Sequence, residues 1–202
     1  MKTNIILLFI ALAFAACGGK NAQHEGSATM KAIVETEQNR QYFIQVLDTV
    51  KAYSSLKDLV KAKVSEGVFV GGEGISKDYV PMKDIREDAN AMATLLGKYQ
   101  DGNIIFLKAD VSTNHYNGIE LYAIDAQTGE QLGGEHHIIL GGGYSHMGVQ
   151  GDFESLLGAD GSLTIKEIVS EYDIDTEQQG KPTVTTKVYR FDKTKKAFIK
   201  VE

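Results

Sequence analysis

The sequence predicts an α+β fold: N-terminal helices followed by an antiparallel β-meander of about six strands, in a single domain over residues 31–202. Three observations carry this expectation. Apolar residues recur at helical spacing up to about residue 100, so 31–100 reads as helical. From residue 101 the texture changes to short β-branched and aromatic runs. Asn, Asp and Gly, which close tight turns, stand between those runs and make 101–202 β-rich.

In the helical half, Phe43, Val46, Leu47, Val50 and Tyr53 share one stripe, and Leu56, Leu59 and Val60 resume it on a rotated line. The break at Ser54-Ser55 separates two helices, and a serine hydroxyl there is placed to accept from the free N–H groups of the second. Residues 41–47 (YFIQVL with its neighbours) also suit a strand, being rich in aromatic and β-branched side chains. Val68-Phe69-Val70 is a short apolar run. The glycines after it, Gly71-Gly72-Glu73-Gly74, suit a turn that needs positive φ. A dinucleotide-binding Gly-x-Gly-x-x-Gly loop counted from Gly72 would have Lys77 in place of its last glycine, so nucleotide binding is not expected. From 82 to 96, Ile85, Ala89, Met92, Leu95 and Leu96, with Tyr99 beyond, fall on one helical face. Asp84, Glu87 and Asp88 suit its N-terminal dipole, and Gly97 or Gly102 suits its end.

The six strands are read at 103–109 (NIIFLKA), 118–126 (GIELYAIDA), 135–140 (EHHIIL), 162–172 (SLTIKEIVSEY), 183–191 (TVTTKVYRF) and 197–201 (AFIKV). Turns are expected at Asn117-Gly118, Thr128-Gly129, Asp160-Gly161 and 192–195. In the fourth strand Leu163 and Ile165 change phase to Ile168, Ser170 and Tyr172, which a bulge near Lys166 or Glu167 accommodates.

The N-terminus speaks to location. Lys2 precedes an apolar run at 5–16 that ends in Ala15-Ala16, and Cys17, the one cysteine of the chain, follows directly with Gly18-Gly19 behind it. Twelve apolar residues fall short of the roughly 20 that a bilayer-crossing helix needs, so 1–16 reads as a cleaved export signal. The junction resembles the lipobox of bacterial lipoproteins over residues 1–19, with Phe14 where leucine is commonest. The resemblance implies that the Cys17 thiol receives a diacylglyceryl group, that the leader is cut before Cys17, and that the new amino terminus is acylated. It also implies the periplasmic face of the outer membrane, because Gly18 replaces the aspartate that signals inner-membrane retention. Residues 17–30 (CGGKNAQHEGSATM) are small and polar and read as the lipidated flexible tether.

Losing Lys2 with the leader takes 21 bases to 20 against 27 acids, so the net charge moves from −6 to −7. Nucleic acid and anionic headgroups reward a basic patch, and neither is an expected partner. The membrane is reached through the lipid alone. With no second cysteine, disulfides cannot hold the domain, and a hydrophobic core must.

Four features bear on chemistry. Gly143-Tyr144-Ser145-His146-Met147-Gly148 resembles a nucleophile elbow in outline, but Met147 stands where the second glycine belongs. A glycine-rich hairpin or Ω loop is expected, with Tyr144, Ser145 and His146 as candidate ligand-binding residues and no catalytic role assigned. His115, His136, His137 and His146 crowd the same half, yet adjacent His136 and His137 on a strand point to opposite faces. A metal site would need His115 and His146 to converge with one of them and with Glu135 or Asp152, and no zinc spacing is present. Asp173, Asp175 and Glu177 do not meet the EF-hand pattern, which would place Gln178 sixth and Val184 twelfth, and they read as a solvated hairpin end. Tyr99, Phe106, Tyr116, Tyr122, Tyr144 and Phe153 read chiefly as core, and the absence of tryptophan disfavours a sugar platform. The expectation is therefore a non-enzymatic envelope lipoprotein without metal or cofactor that binds an unknown protein or small molecule or plays a structural part. The alternatives are a hydrolase using Ser145 and His146, and a metal- or calcium-binding protein.

Overall fold

The computed structural model describes residues 22–63, 65–133, 137–173, 176 and 178–201, with the side chains of all of these except 22–35, 172 and 179. The leader, Cys17, Glu135, His136, Asp175 and Glu177 lie outside the described residues. The chain divides into an N-terminal unit, Met1–Glu35, and a compact unit, Thr36–Glu202. Helix α1 (Ala22–Thr49) belongs to both. It begins inside the segment expected as a loose tether. That reading weighed Gly26 and Ser27 above the helix formers Ala22, Gln23, Glu25, Ala28, Met30 and Lys31.

The compact unit is built on one antiparallel sheet. Nine strands follow a single path: β1 (Val68–Val70), β2 (Met92–Asp101), β3 (Ile104–Ser112), β4 (Tyr116–Asp125), β5 (Ile138–His146), β6 (Val149–Leu157), β7 (Leu163–Asp173), β9 (Thr183–Asp192) and β10 (Ala197–Lys200). The two-residue β8 (Gln178–Gln179) pairs with the end of β7. Helices are few: α1 and α2 (Leu56–Lys61) precede the sheet, and a 3-10 turn at Lys77–Tyr79 and α3 (Lys83–Glu87) lie between β1 and β2.

Two apolar cores form on opposite faces of the sheet. On one face Phe43, Val46, Leu47 and Val50 from α1 and its end, with Ile85 of α3, cover Ala93, Leu95, Ile105, Leu107, Ala109, Tyr122 and Ile124. On the other, Leu59 of α2 joins Phe106, Leu121, Ala123, Ile138, Leu140, Leu163, Ile165 and Phe198. The sheet curls around this second core. The Phe106 ring on β3 lies 5.0 Å from Phe191 on β9 and 6.1 Å from Phe198 on β10. Lys193 and Lys196, beside the β9–β10 turn, pair with Asp101 at 2.6 Å and Asp125 at 3.3 Å.

Local chemistry explains the helices. Ser55 caps α2 as expected, its Oγ accepting from Asp58 N at 3.0 Å. Three lysines satisfy carbonyls at helix ends, which the backbone ladder leaves open. Lys98 Nζ donates to Leu47 O at 2.6 Å in α1. Lys108 Nζ donates to Ala62 O at 2.7 Å and Val60 O at 3.0 Å at the end of α2. Lys77 Nζ donates to Asp88 O at 2.6 Å just past α3.

Further expectations need correction. The helix read over 82–96 is α3 followed by β2. The register of β2 against β3 shifts between Leu95 and Gly97, so Ala93 and Leu95 face the first core while Gly97 and Tyr99 face the second. That change of side spaces the apolar residues as a helix would. The meander has more than six strands, because β1, β2, β6 and β8 join those expected. The bulge expected near Lys166 or Glu167 is absent, for β7 pairs without a break from Leu163 to Glu171. The phase change there reflects a strand with side chains packed on both faces.

Turn chemistry closes the hairpins. Gly102 (φ 61°) turns β2 into β3, and Gly161 (φ 81°) stands in the Asp160-Gly161 turn. Asn117-Gly118 lies inside β4 instead, and the β3–β4 reversal falls at 113–115, where Thr113 N donates to Tyr116 O at 2.7 Å.

Candidate functional site

Strand β4 enters the first core with a charge in it. Its alternation sends Glu120, Tyr122 and Ile124 to the α1 side, and Glu120 is only 2% exposed while Tyr122 is fully buried. Two other buried charges in the described residues are well provided for. Lys108 donates to the helix carbonyls named above, and Asp125 accepts from Gln127 N at 2.9 Å, Thr128 N at 3.2 Å, Asn103 Nδ2 at 3.1 Å and Lys196 Nζ at 3.3 Å. Among the described residues Glu120 has no such set of cationic or backbone donors around it. Its neighbours are the Tyr122 and Tyr116 hydroxyls, the Asp84 carboxylate on α3, and the His137 imidazole just before β5.

The Tyr122 hydroxyl contacts both acids: it is 2.6 Å from Asp84 Oδ2 and hydrogen-bonded to Glu120 Oε2. His137 Nε2 stands 3.6 Å from Glu120 Oε1, and the His137 ring lies 5.1 Å from that of Tyr122. One ligand atom from each of Asp84, Glu120 and His137 falls within 4.8 Å of the others. Among the described residues, His137 Nδ1 is a buried polar atom here with no hydrogen-bond partner, while the Tyr116 hydroxyl lies against Glu120. Desolvation pushes the Glu120 carboxyl above its ordinary value against the opposing pull of His137 and Tyr122. Desolvation, and then the charge of Glu120, raise the Tyr122 and Tyr116 hydroxyls as well, so both stay protonated. Asp84 is exposed, which opens the cluster to solvent on one side.

The residues expected to bind a ligand lie elsewhere, at the β5–β6 hairpin. Ser145 and His146 belong to β5, and Met147 (φ 45°) and Gly148 (φ 80°) form its two-residue turn. Alternation along the strand therefore points the Ser145 and His146 side chains to opposite faces, which separates a nucleophile from its base. His146 packs instead on His115, the rings 4.6 Å apart. Tyr144 and Ser145 line an open depression of about 540 Å³ with Asn114, His115, Asn117, Gln150 and Asp152. The Tyr144 hydroxyl reaches Glu167 at 3.5 Å. A second cleft of about 590 Å³ lies between α1, the 3-10 turn and the β4–β5 connection; its Arg40 is paired with Glu130 at 2.5 Å.

The histidines thus divide. His115 and His146 come together as a metal site would have required, but His137 sits further along β4 beside Glu120. Asp84 and Glu120 were missed by sequence reasoning. Asp84 read as a dipole partner for a helix. Glu120 had a usable signal, since an acid at an inward position of the apolar run GIELYAID breaks the alternation. Comparison with protein-family models, with curated proteins and with solved structures found no match.

Proposed function

We propose that this protein is a lipid-anchored extracytoplasmic lipoprotein, held through Cys17 at the bacterial outer membrane facing the periplasm, whose compact unit binds a ligand or partner and does not catalyse a reaction. The observation that carries the reading is the order of Lys2, the apolar run at 5–16 and the single cysteine at 17. Two or more acyl chains at about 0.8 kcal/mol per buried methylene give the lasting attachment that one chain does not. Among the described residues no helix is long and apolar enough to cross a membrane. The binding half of the reading is supported by the depression beside Tyr144 and Ser145, where amide, imidazole and carboxylate groups offer hydrogen bonds while Ser145 and His146 diverge.

Intact-mass measurement of the chain purified from its host tests the anchor. The expected product lacks residues 1–16 and carries a diacylglyceryl group and an added acyl chain. Cys17→Ser yields neither the lipid nor detergent-phase partitioning. A bare thiol with the leader still attached overturns the assignment.

A further inference from the structure

The cluster on β4 is short of positive charge. A tyrosine hydroxyl has one proton to donate, yet Tyr122 lies against two carboxylates, so one of them is left without a donor from it. Among the described residues no lysine or arginine is paired with Glu120, and the basic group beside it is the His137 imidazole, 3.6 Å away. A buried carboxylate beside a second carboxylate is costly unless something cationic sits between them.

We propose that Asp84, Glu120 and His137 bind one divalent transition-metal ion, with Zn²⁺ the best fit. The spacing suits it. Ligand atoms around tetrahedral zinc, with bonds of about 2.0–2.1 Å, lie about 3.3 Å apart. Glu120 Oε1 and His137 Nε2 are 3.6 Å apart, and the full set of three falls within 4.8 Å. Asp84 is the exposed member of the set, on the short helix α3, and its side chain is the one that closes the remaining distance. The donor set argues the same way: an imidazole favours Zn²⁺ and its transition-metal neighbours over Mg²⁺ and Ca²⁺, which prefer oxygen alone. Tyr122 acts as a positioning residue that orients both carboxylates from outside the ligand set. Three protein ligands leave zinc a further position open on the Asp84 side, for water or for an anionic group of a bound molecule. The site goes beyond the lipoprotein reading and does not depend on it.

The test is calorimetric titration of the full chain carrying Cys17→Ser, which removes the one competing thiol, after chelator treatment and dialysis. Zn²⁺ is expected to bind one to one at micromolar or lower dissociation constant and to raise the melting temperature, while Mg²⁺ and Ca²⁺ do neither. Co²⁺ is expected to give the intense visible absorption of a low-symmetry four- or five-coordinate site. Asp84→Asn, on an exposed helix, and Glu120→Gln, a near-isostere, should each weaken Zn²⁺ binding at least about tenfold with an unchanged circular dichroism spectrum. His115→Ala should leave binding unchanged. Absence of Zn²⁺ binding in the parent overturns the proposal. So does binding that survives Asp84→Asn and Glu120→Gln, or that is lost with His115→Ala.

Discussion

Replacing Leu59 by alanine probes how the second core is held. Leu59 is fully buried and is the one buried side chain of α2, a helix of six residues that has little stability of its own. Removing three carbons forfeits about 2.4 kcal/mol at roughly 0.8 kcal/mol per methylene-sized group, and the cavity left behind adds to this. The hole will refill poorly, because the strand beneath is Gly97, which has no side chain to relax into it. A methyl built on Gly97 would lie 3.0 Å from Leu59 Cδ1 and 2.5 Å from Tyr53 Cε2. The expected cost is about 3–5 kcal/mol, or roughly 8–15 °C in melting temperature for a domain of this size. Urea denaturation followed by circular dichroism measures it. Gly97→Ala alone should cost about 1–3 kcal/mol by overpacking, and the double variant should lose less than the sum by at least about 0.5 kcal/mol, because the new methyl enters vacated space. A loss below about 1 kcal/mol for Leu59→Ala, or strict additivity, would refute the packing of α2 on β2.

Two further outcomes concern ionisation. Hydrogen bonds from Ser162, and then Arg190 at 2.5 Å, hold the Asp160 carboxyl down at about 2, below the ordinary 3.8. Its contribution to stability is thus complete above pH 3.8 and is lost as pH falls through about 2; a carboxyl titration by NMR with its midpoint at or above 3.8 would contradict this, and Asp160→Asn should flatten the acid limb of stability against pH. Burial lowers the Lys108 ammonium below its ordinary 10.5, so the unfolded chain holds that proton more tightly and stability rises with pH over the window between the folded value and 10.5. Relative to Lys108→Met, the parent should gain stability as pH rises toward 10.5 in urea melts, and parallel pH profiles would show that the amine is not buried as described.

Much of the fold was legible where a residue sits on one side of its element. The stripe from Phe43 to Val50, the cap at Ser55 and the bodies of β3, β4, β7 and β9 follow directly from spacing, although β4 begins two residues before its expected start. Legibility failed where tertiary context overrode pattern. The shift at Leu95 and Gly97 gave β2 a helical period, and β6 (VQGDFESLL) hides because Gly151 and Ser155 interrupt its inward row of Val149, Phe153 and Leu157. The Asp84–Glu120–His137 cluster was unreadable for a different reason. Its members come from separate elements far apart in sequence, and only the pairing of β4 with β5 and the docking of α3 bring them to one place.

The two ends of the sheet have a consequence for how molecules meet. The outer edge of β2 is covered first by three-residue β1 and then by backbone bonds between Lys98 and both Lys51 and Tyr53, each 2.8 Å. At the far end β10 spans four residues, and Val201 adds one more bond to Val188. The stretch of β9 that β10 leaves uncovered begins Thr183-Val184-Thr185-Thr186-Lys187, mostly polar and bearing a charge that resists stacking. A foreign strand finds brief or hydrophilic templates at either margin, so crowding these chains together should not zip them into fibrils.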